Sequence, residues 1–316
     1  MKVNLRNRAG LTRAIGGTTL LLTCFAPARS HAQQATPPPT PAPSTTAAVL
    51  AAATATDWRP LDPENTLYLE LASGRVVIEL APSYAPAHAA NVKALVREGY
   101  FDGLTINRAQ DNYVVQWGDA NADDPAKRRE VGQAKRSLPA EFDRAMGPDV
   151  PFTPSPDGDV YASDTGWSLG FPAARDPKSG RTWLTHCYGT LGAGRGNEAA
   201  SGGGTELFVV IGHSPRHLDR NDTAFGRVVK GIELLSTLPR GTGPLGFYEK
   251  PEQRVLIRSI RIAADVPAAE RTSLEVLRTD TTTFASLISA RRTRAEAWFK
   301  NPAGRIELCN VPVPVR

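Results

Sequence analysis

Arg108, Tyr113, Val114 and Gln116 crowd into nine residues of a probable strand and its approach. An arginine is always charged and presents several donors in a fixed fork. Beside an aromatic ring, a branched apolar side chain and an amide, it suits donation of a hydrogen bond inside a dry pocket. Taken singly, Tyr113 and Val114 read as core and Arg108 as surface charge. The segment reads Phe101-Asp102-Gly103-Leu104-Thr105-Ile106-Asn107-Arg108, then Asn112-Tyr113-Val114-Val115-Gln116-Trp117-Gly118-Asp119. About a hundred residues on, a second segment runs Leu218-Asp219-Arg220-Asn221-Asp222-Thr223-Ala224-Phe225-Gly226-Arg227-Val228-Val229-Lys230-Gly231. Other patterns carry less. His213 and His217 stand four apart, a metal spacing on a helix, but Pro215 between them argues for a loop and no metal is expected. Gly189 to Gly196 has the glycines of a phosphate loop without the following Lys-Ser/Thr. No serine elbow or cysteine–histidine nucleophile pattern is present.

Together, in this order, the two segments resemble the signature segments of the cyclophilin family of peptidyl-prolyl cis-trans isomerases. The resemblance implies that Arg108 is the catalytic donor. It implies a substrate groove lined by Tyr113, Val114, Gln116, Phe208 and Leu218, with His217 and Asp222 as further substrate-binding positions, and no cofactor. The implied chemistry is simple. Rotation about an X-Pro bond breaks amide resonance, at a barrier of roughly 18–20 kcal/mol. In the twisted state the prolyl nitrogen recovers its lone pair, so a donor aimed at that nitrogen stabilises the transition state alone. The chain departs from the family pattern in places. Asn107 stands in place of a histidine, Val114 of a methionine, His217 of a tryptophan or other large residue, Asp222 of a histidine, and Glu206 ends a Gly203-Gly204-Thr205-Glu206 run where Asn-Gly-Ser-Gln is usual. Glu206 and Asp222 are expected near Arg108, where either would orient or occupy its guanidinium.

The elements that must position these residues can be read from periodicity. Thr66 to Leu71 and Val76 to Leu80 alternate around Ser73-Gly74 as a hairpin, and Pro82 to Glu98 has a helical apolar face ending at Gly99. Strands are expected over Tyr113–Gln116, Leu207–Ile211, Thr223–Val229 and Arg254–Ile262, with a short helix from Gly231 to Leu238. This is a mainly β chain. The resemblance implies a closed barrel capped by two helices, over residues 58–264. An insertion at about 120–187, polar and rich in Pro, Gly and Asp, and a C-terminal extension at 265–316 exceed a minimal barrel. The extension is expected to hold a helix over Thr281–Lys300, with Phe284, Leu287, Ile288 and Trp298 to one side, then an extended Ile306–Val313. Neither part is given a role beyond packing on the barrel.

Lys and Arg number 37 against 32 Asp and Glu in 316 residues, a formal charge of +5. Five of the basic residues, Lys2, Arg6, Arg8, Arg13 and Arg29, lie in the first 32 positions, which hold no acid. The remainder therefore balances to zero, and a nucleic-acid partner loses its support. Residues 1–32 have the layout of a secretory signal peptide: a basic front, an apolar run from Ala14 to Ala26, and Ser30-His31-Ala32 before Gln33. That run is too short to span a bilayer. The expected location is periplasmic, with proline-containing unfolded or newly exported polypeptides as partners and no membrane span after signal removal. Cys24 at the end of the apolar run offers a lipoprotein signal as the rival reading. Residues 33–57 read as a Pro/Ala/Thr-rich spacer. Cleavage would leave Cys187 and Cys309, either a disulfide in an oxidising compartment or two buried thiols. The alternative function is a non-catalytic peptide-binding chaperone on the same barrel.

Overall fold

The structure is a computed structural model and describes residues 44–316. Residues 1–43, which hold the expected signal segment, Cys24 and the first part of the expected spacer, lie outside the described residues. Along the chain come α1 (Thr46–Ala51), β1 (Trp58–Pro60), β2 (Thr66–Leu71), β3 (Gly74–Leu80), α2 (Pro86–Arg97), β4 (Thr105–Ala109) and β5 (Val114–Gly118). The insertion holds β6 (Arg144–Ala145), β7 (Thr153–Pro154), β8 (Asp164–Ser168), β9 (Phe171–Asp176) and β10 (Arg181–Leu184). Then follow β11 (Thr190–Ala193), β12 (Leu207–Val210), β13 (Thr223–Lys230), α3 (Ile232–Ser236), β14 (Val255–Ile262), β15 (Glu275–Leu277) and α4 (Thr282–Thr293).

Eight strands close a barrel in the order β11-β12-β5-β4-β14-β2-β3-β13, with every ladder antiparallel. Strand alternation fills it: Leu67, Leu69, Ile78, Ile106, Val115, Trp117, Leu207, Val209 and Phe225 share one buried cluster. The same cluster takes Val92, Leu95 and Val96 of α2 and Leu235 of α3, the two helices that cap the barrel. Pro86 opens α2 at a position where its missing N–H costs nothing. The first-turn amides of Ala87 and His88 donate to the Glu141 carboxylate, so the insertion caps this helix. Gly99, at φ +66°, closes it in the left-handed conformation that a Cβ disfavours.

The insertion, polar and rich in Pro, Gly and Asp, has regular structure. It forms a five-stranded antiparallel sheet, β6-β10-β9-β8-β7, joined to the barrel through a cluster of Tyr84, Phe171, Leu184 and Ala224. A further core gathers Val49, Trp58, Trp167, Val276, Leu277, Phe284, Leu287 and Ile288, with Trp167 edge-on to Phe284 at 5.1 Å. It therefore unites the chain's N-terminal stretch, the insertion and the C-terminal extension. The disulfide Cys187–Cys309 lies in the same core. Three expectations are corrected here. Residues 46–51, read as part of the spacer, form a helix that buries Val49. The helix of the extension stops at Thr293, because Arg294 turns left-handed at φ +48°, and Trp298 beyond it is 80% exposed rather than on the packed face. Ile306–Val313 is interrupted by a 3-10 turn at Leu308–Asn310, where the Glu307 side chain accepts from the Cys309 amide. No helix among the described residues is long and apolar enough to cross a membrane.

Candidate functional site

A bulge sets the site. Ile106 pairs with Trp117 and Arg108 with Gln116, so Asn107 is one residue more than β5 can match. Without it, Arg108 would oppose Val115, whose side chain points into the barrel. With it, Arg108 joins the outer face. The Asn107 amide holds the irregularity by donating to the Gly118 carbonyl at 2.9 Å and accepting from Thr105 Oγ1 at 2.5 Å. The row then continues across the sheet, as Gln116 pairs with Phe208 and Phe208 with Gly192. A Cβ at Gly192 would overlap the Phe208 ring, so glycine there lets the ring lie flat against β11. Val114, Phe208 and Val210 form a small apolar cluster outside the barrel, with Tyr113 packed against it.

These residues line a cleft of about 720 Å³ that also takes in Leu218 and Asp222. His217 lies at the edge, exposed, with its ring parallel to Tyr113 at 6.2 Å. The Arg108 guanidinium is fixed from three directions: Nε donates to the Leu245 carbonyl at 2.7 Å, Nη1 to Gln116 Oε1 at 3.0 Å, and Nη2 to Gln110 Oε1. Its carbon sits 5.5 Å from the Tyr113 ring and 5.5 Å from the Phe247 ring. Burial lowers its pKa, opposed by Tyr113 and Glu206. Arginine has five N–H groups, so two remain without a partner among the described residues.

Neither acid pairs with Arg108 as expected. Glu206 Oε2 instead accepts from Gln116 Nε2 at 2.6 Å, which fixes the Gln116 amide so that its oxygen faces Arg108. Burial, with Asp123 and Asp119 nearby, holds the Glu206 carboxyl above its usual range against that bond. Asp222 accepts from the amide of Thr223 at 2.8 Å, and burial raises its pKa too. His213 lies in a turn and His217 in a one-turn 3-10 helix, so the helical spacing suggested by these two histidines does not form.

Sequence reasoning missed Leu245 and Phe247, which arrive from the loop before β14. It also missed what stands behind the pocket. The buried His186 ring stacks on Phe208 at 6.0 Å, while its Nδ1 lies 3.0 Å from Asp219 Oδ1. Asp219 accepts from Arg216 Nε at 2.5 Å, and Arg216 Nη1 donates to Asp159 of the insertion at 2.9 Å. Glu307 of the C-terminal extension stands 3.8 Å from Arg216. The loop that carries His217, Leu218 and Asp222 is thus anchored by both additions to the barrel. The only sequence signal was the Leu218-Asp219 dipeptide.

Residues 66–262 match the sequence model of a family described as cyclophilin type peptidyl-prolyl cis-trans isomerase/CLD. A relative in Brucella suis, a probable peptidyl-prolyl cis-trans isomerase, is 28% identical over 187 residues, covering 57% of this chain and 74% of its own. The human peptidyl-prolyl cis-trans isomerase-like 1 is 24% identical over 223 residues, 69% of this chain and 99% of its own. Among solved structures, the crystal structure of cyclophilin AquaCyp293 from Hirschia baltica superposes with a TM-score of 0.65 at 26% identity. That likeness covers 86% of this chain and 97% of the other, more than the matched barrel alone.

Proposed function

The chain belongs to the family of cyclophilin-type peptidyl-prolyl cis-trans isomerases, and from that premise we propose that it catalyses X-Pro isomerisation in exported polypeptides with Arg108 as the donor. The observation that carries the assignment is the guanidinium itself. It is immobilised by Leu245, Gln116 and Gln110, yet keeps two N–H groups at a cleft whose outer-face apolar cluster is Val114 and Phe208. The proline ring seats on Val114, Phe208 and Leu218, with Tyr113 at one side. As the amide twists, one Arg108 N–H donates to the prolyl nitrogen, whose lone pair is available only then. Gln116 holds the fork in place and, held in turn by Glu206, presents its amide at the substrate backbone. No bond is made or broken, so nucleophile and cofactor are not required.

Two features support export: the basic, apolar and small-x-small order of residues 1–32, and a Cys187–Cys309 bridge, a linkage that persists in oxidising compartments. The test is a protease-coupled isomerisation assay on short X-Pro peptides, using mature protein from Gln33 onward beside Arg108→Ala. Turnover that collapses in the variant is expected. Peptide binding without turnover in either protein would leave a peptide-binding barrel instead. Cell fractionation and N-terminal sequencing of the mature chain test the export proposal.

A further inference from the structure

A second concavity, of about 750 Å³, lies beside the catalytic cleft. One wall belongs to the insertion, with Phe142, Tyr161 and Trp183. The other is the loop 216–221, the same loop whose Leu218 lines the catalytic side. The loop is therefore a ridge between two hollows. Arg195 ties them together across the ridge's end. It lines the catalytic cleft, its guanidinium lies 5.4 Å from the Phe142 ring, and Nε donates to the Asn221 carbonyl at 2.9 Å.

The lining is that of a recognition surface. Arg220 sits 5.0 Å from the Trp183 ring and donates to Asp143 at 2.8 Å, and Arg181 pairs with the same carboxylate. Tyr161 is 56% exposed, with the Arg216 guanidinium 5.3 Å from its ring. Aromatic rings and arginines are the residues that interfaces favour, because they combine apolar area with directed polar groups. Charge decides the class of occupant. Asp143, Asp176 and Asp219 balance Arg181, Arg216 and Arg220, and all three arginines are already paired with carboxylates. A polyanion gains little there, whereas an extended polypeptide with apolar side chains and neutral amides finds both rings and hydrogen-bonding partners.

We propose that this hollow is a second binding site for the polypeptide substrate, occupied by the stretch of chain adjoining the X-Pro segment held in the catalytic cleft. The proposal rests on the isomerase reading and extends it: the insertion converts a site for a few residues into one for a longer unfolded chain. Residues in extended conformation advance about 3.3 Å each, so a peptide of about 20 residues centred on the proline reaches both hollows whichever end crosses the ridge.

The test compares a labelled tetrapeptide with an unstructured peptide of that length carrying the same X-Pro centre, by fluorescence anisotropy and by isomerisation kinetics. Variants are Tyr161→Ala, whose side chain is exposed, and the double variant Tyr161→Ala/Arg220→Ala. The full-length chain is expected to bind the long peptide at least about tenfold more tightly than the tetrapeptide, and the double variant to lose about fivefold or more of that advantage. Tetrapeptide kcat/KM should stay within about twofold of the parent in both variants. Equal affinity for both peptides, or an unchanged advantage in the double variant, would overturn the proposal. Loss of both affinities in equal proportion would overturn it as well. Absence of turnover in the parent protein would instead remove the isomerase reading, and anisotropy would still report whether the long peptide occupies the hollow.

Discussion

Arg108→Ala should lower kcat/KM on an X-Pro peptide while leaving the fold in place, and both halves of that statement follow from its contacts. Three of its N–H groups are spent on Leu245, Gln116 and Gln110, and in the proposed mechanism one of the remaining two donates to the twisted prolyl nitrogen. A hydrogen bond from a charged donor is worth roughly 1.5–3 kcal/mol. At about 1.4 kcal/mol per decade, its loss slows the reaction about 10- to 150-fold. Arg108 has no carboxylate partner within salt-bridge distance among the described residues, and its acceptors border a cleft that water enters. The stability change should therefore stay under about 1 kcal/mol. Arg108→Lys sharpens the test. An ammonium is a point charge that cannot satisfy three acceptors set around a planar fork, so the lysine variant should lie between parent and alanine. The assay is protease-coupled isomerisation at subsaturating peptide, with circular dichroism and thermal melts on the same preparations. A loss of less than about threefold at equal fold would refute the role given to Arg108.

Glu206→Gln should stabilise the protein at neutral pH. Burial raises the folded carboxyl's pKa, so the stability seen with Glu206 protonated is lost as pH rises through that value. The amide still accepts from Gln116, and the difference in Tm between variant and parent should shrink towards zero as pH falls below the ordinary carboxylate range. Reducing Cys187–Cys309, or replacing both with serine, should cost about 2–5 kcal/mol in denaturant unfolding, since the bridge closes a separation of 122 residues. Equal midpoints with and without reductant would count against this. Gly192→Ala should displace the Phe208 ring from the pocket and raise KM for X-Pro peptides several-fold with a small change in Tm; unchanged KM would place Phe208 outside the proline pocket.

Much of this site could be read from the sequence because it is local. Tyr113, Val114 and Gln116 lie within four residues of β5 and its approach, and strand alternation separates Val115 and Trp117 inward from Val114 and Gln116 outward. Phe208 on β12 came only with the family resemblance, since its strand pattern alone reads as core. What escaped has partners far along the chain. Leu245 and Phe247 come from a loop with no periodicity, and 137 residues separate Arg108 from the carbonyl it contacts. The His186–Asp219–Arg216–Asp159 chain links three segments through polar side chains that carry no periodicity. Glu206 and Asp222 were placed near Arg108 correctly enough to line one cleft, but a backbone amide and the Gln116 side chain satisfy them. No strands were assigned in the insertion because those it holds are two to six residues long and interrupted by Gly, Pro and Asp, too short for a period to register. Trp298 was assigned to a helix face because nothing in Arg294 marks a left-handed stop.

The pairing of Trp58 with Leu277 bears on the order in which the molecule assembles. β1 and α1 are among the first described residues to be made, yet their partners, β15 and α4, are among the last. The barrel strands are complete by Ile262, so they can close while the extension is still being synthesised. Trp58 and Val49 must wait in the open until Phe284 and Leu287 arrive, and Cys187 waits longer, for Cys309. The contact of Glu307 with Arg216 likewise forms only once the extension is in place, so this second anchor of the loop that carries Leu218 is added after the barrel has closed.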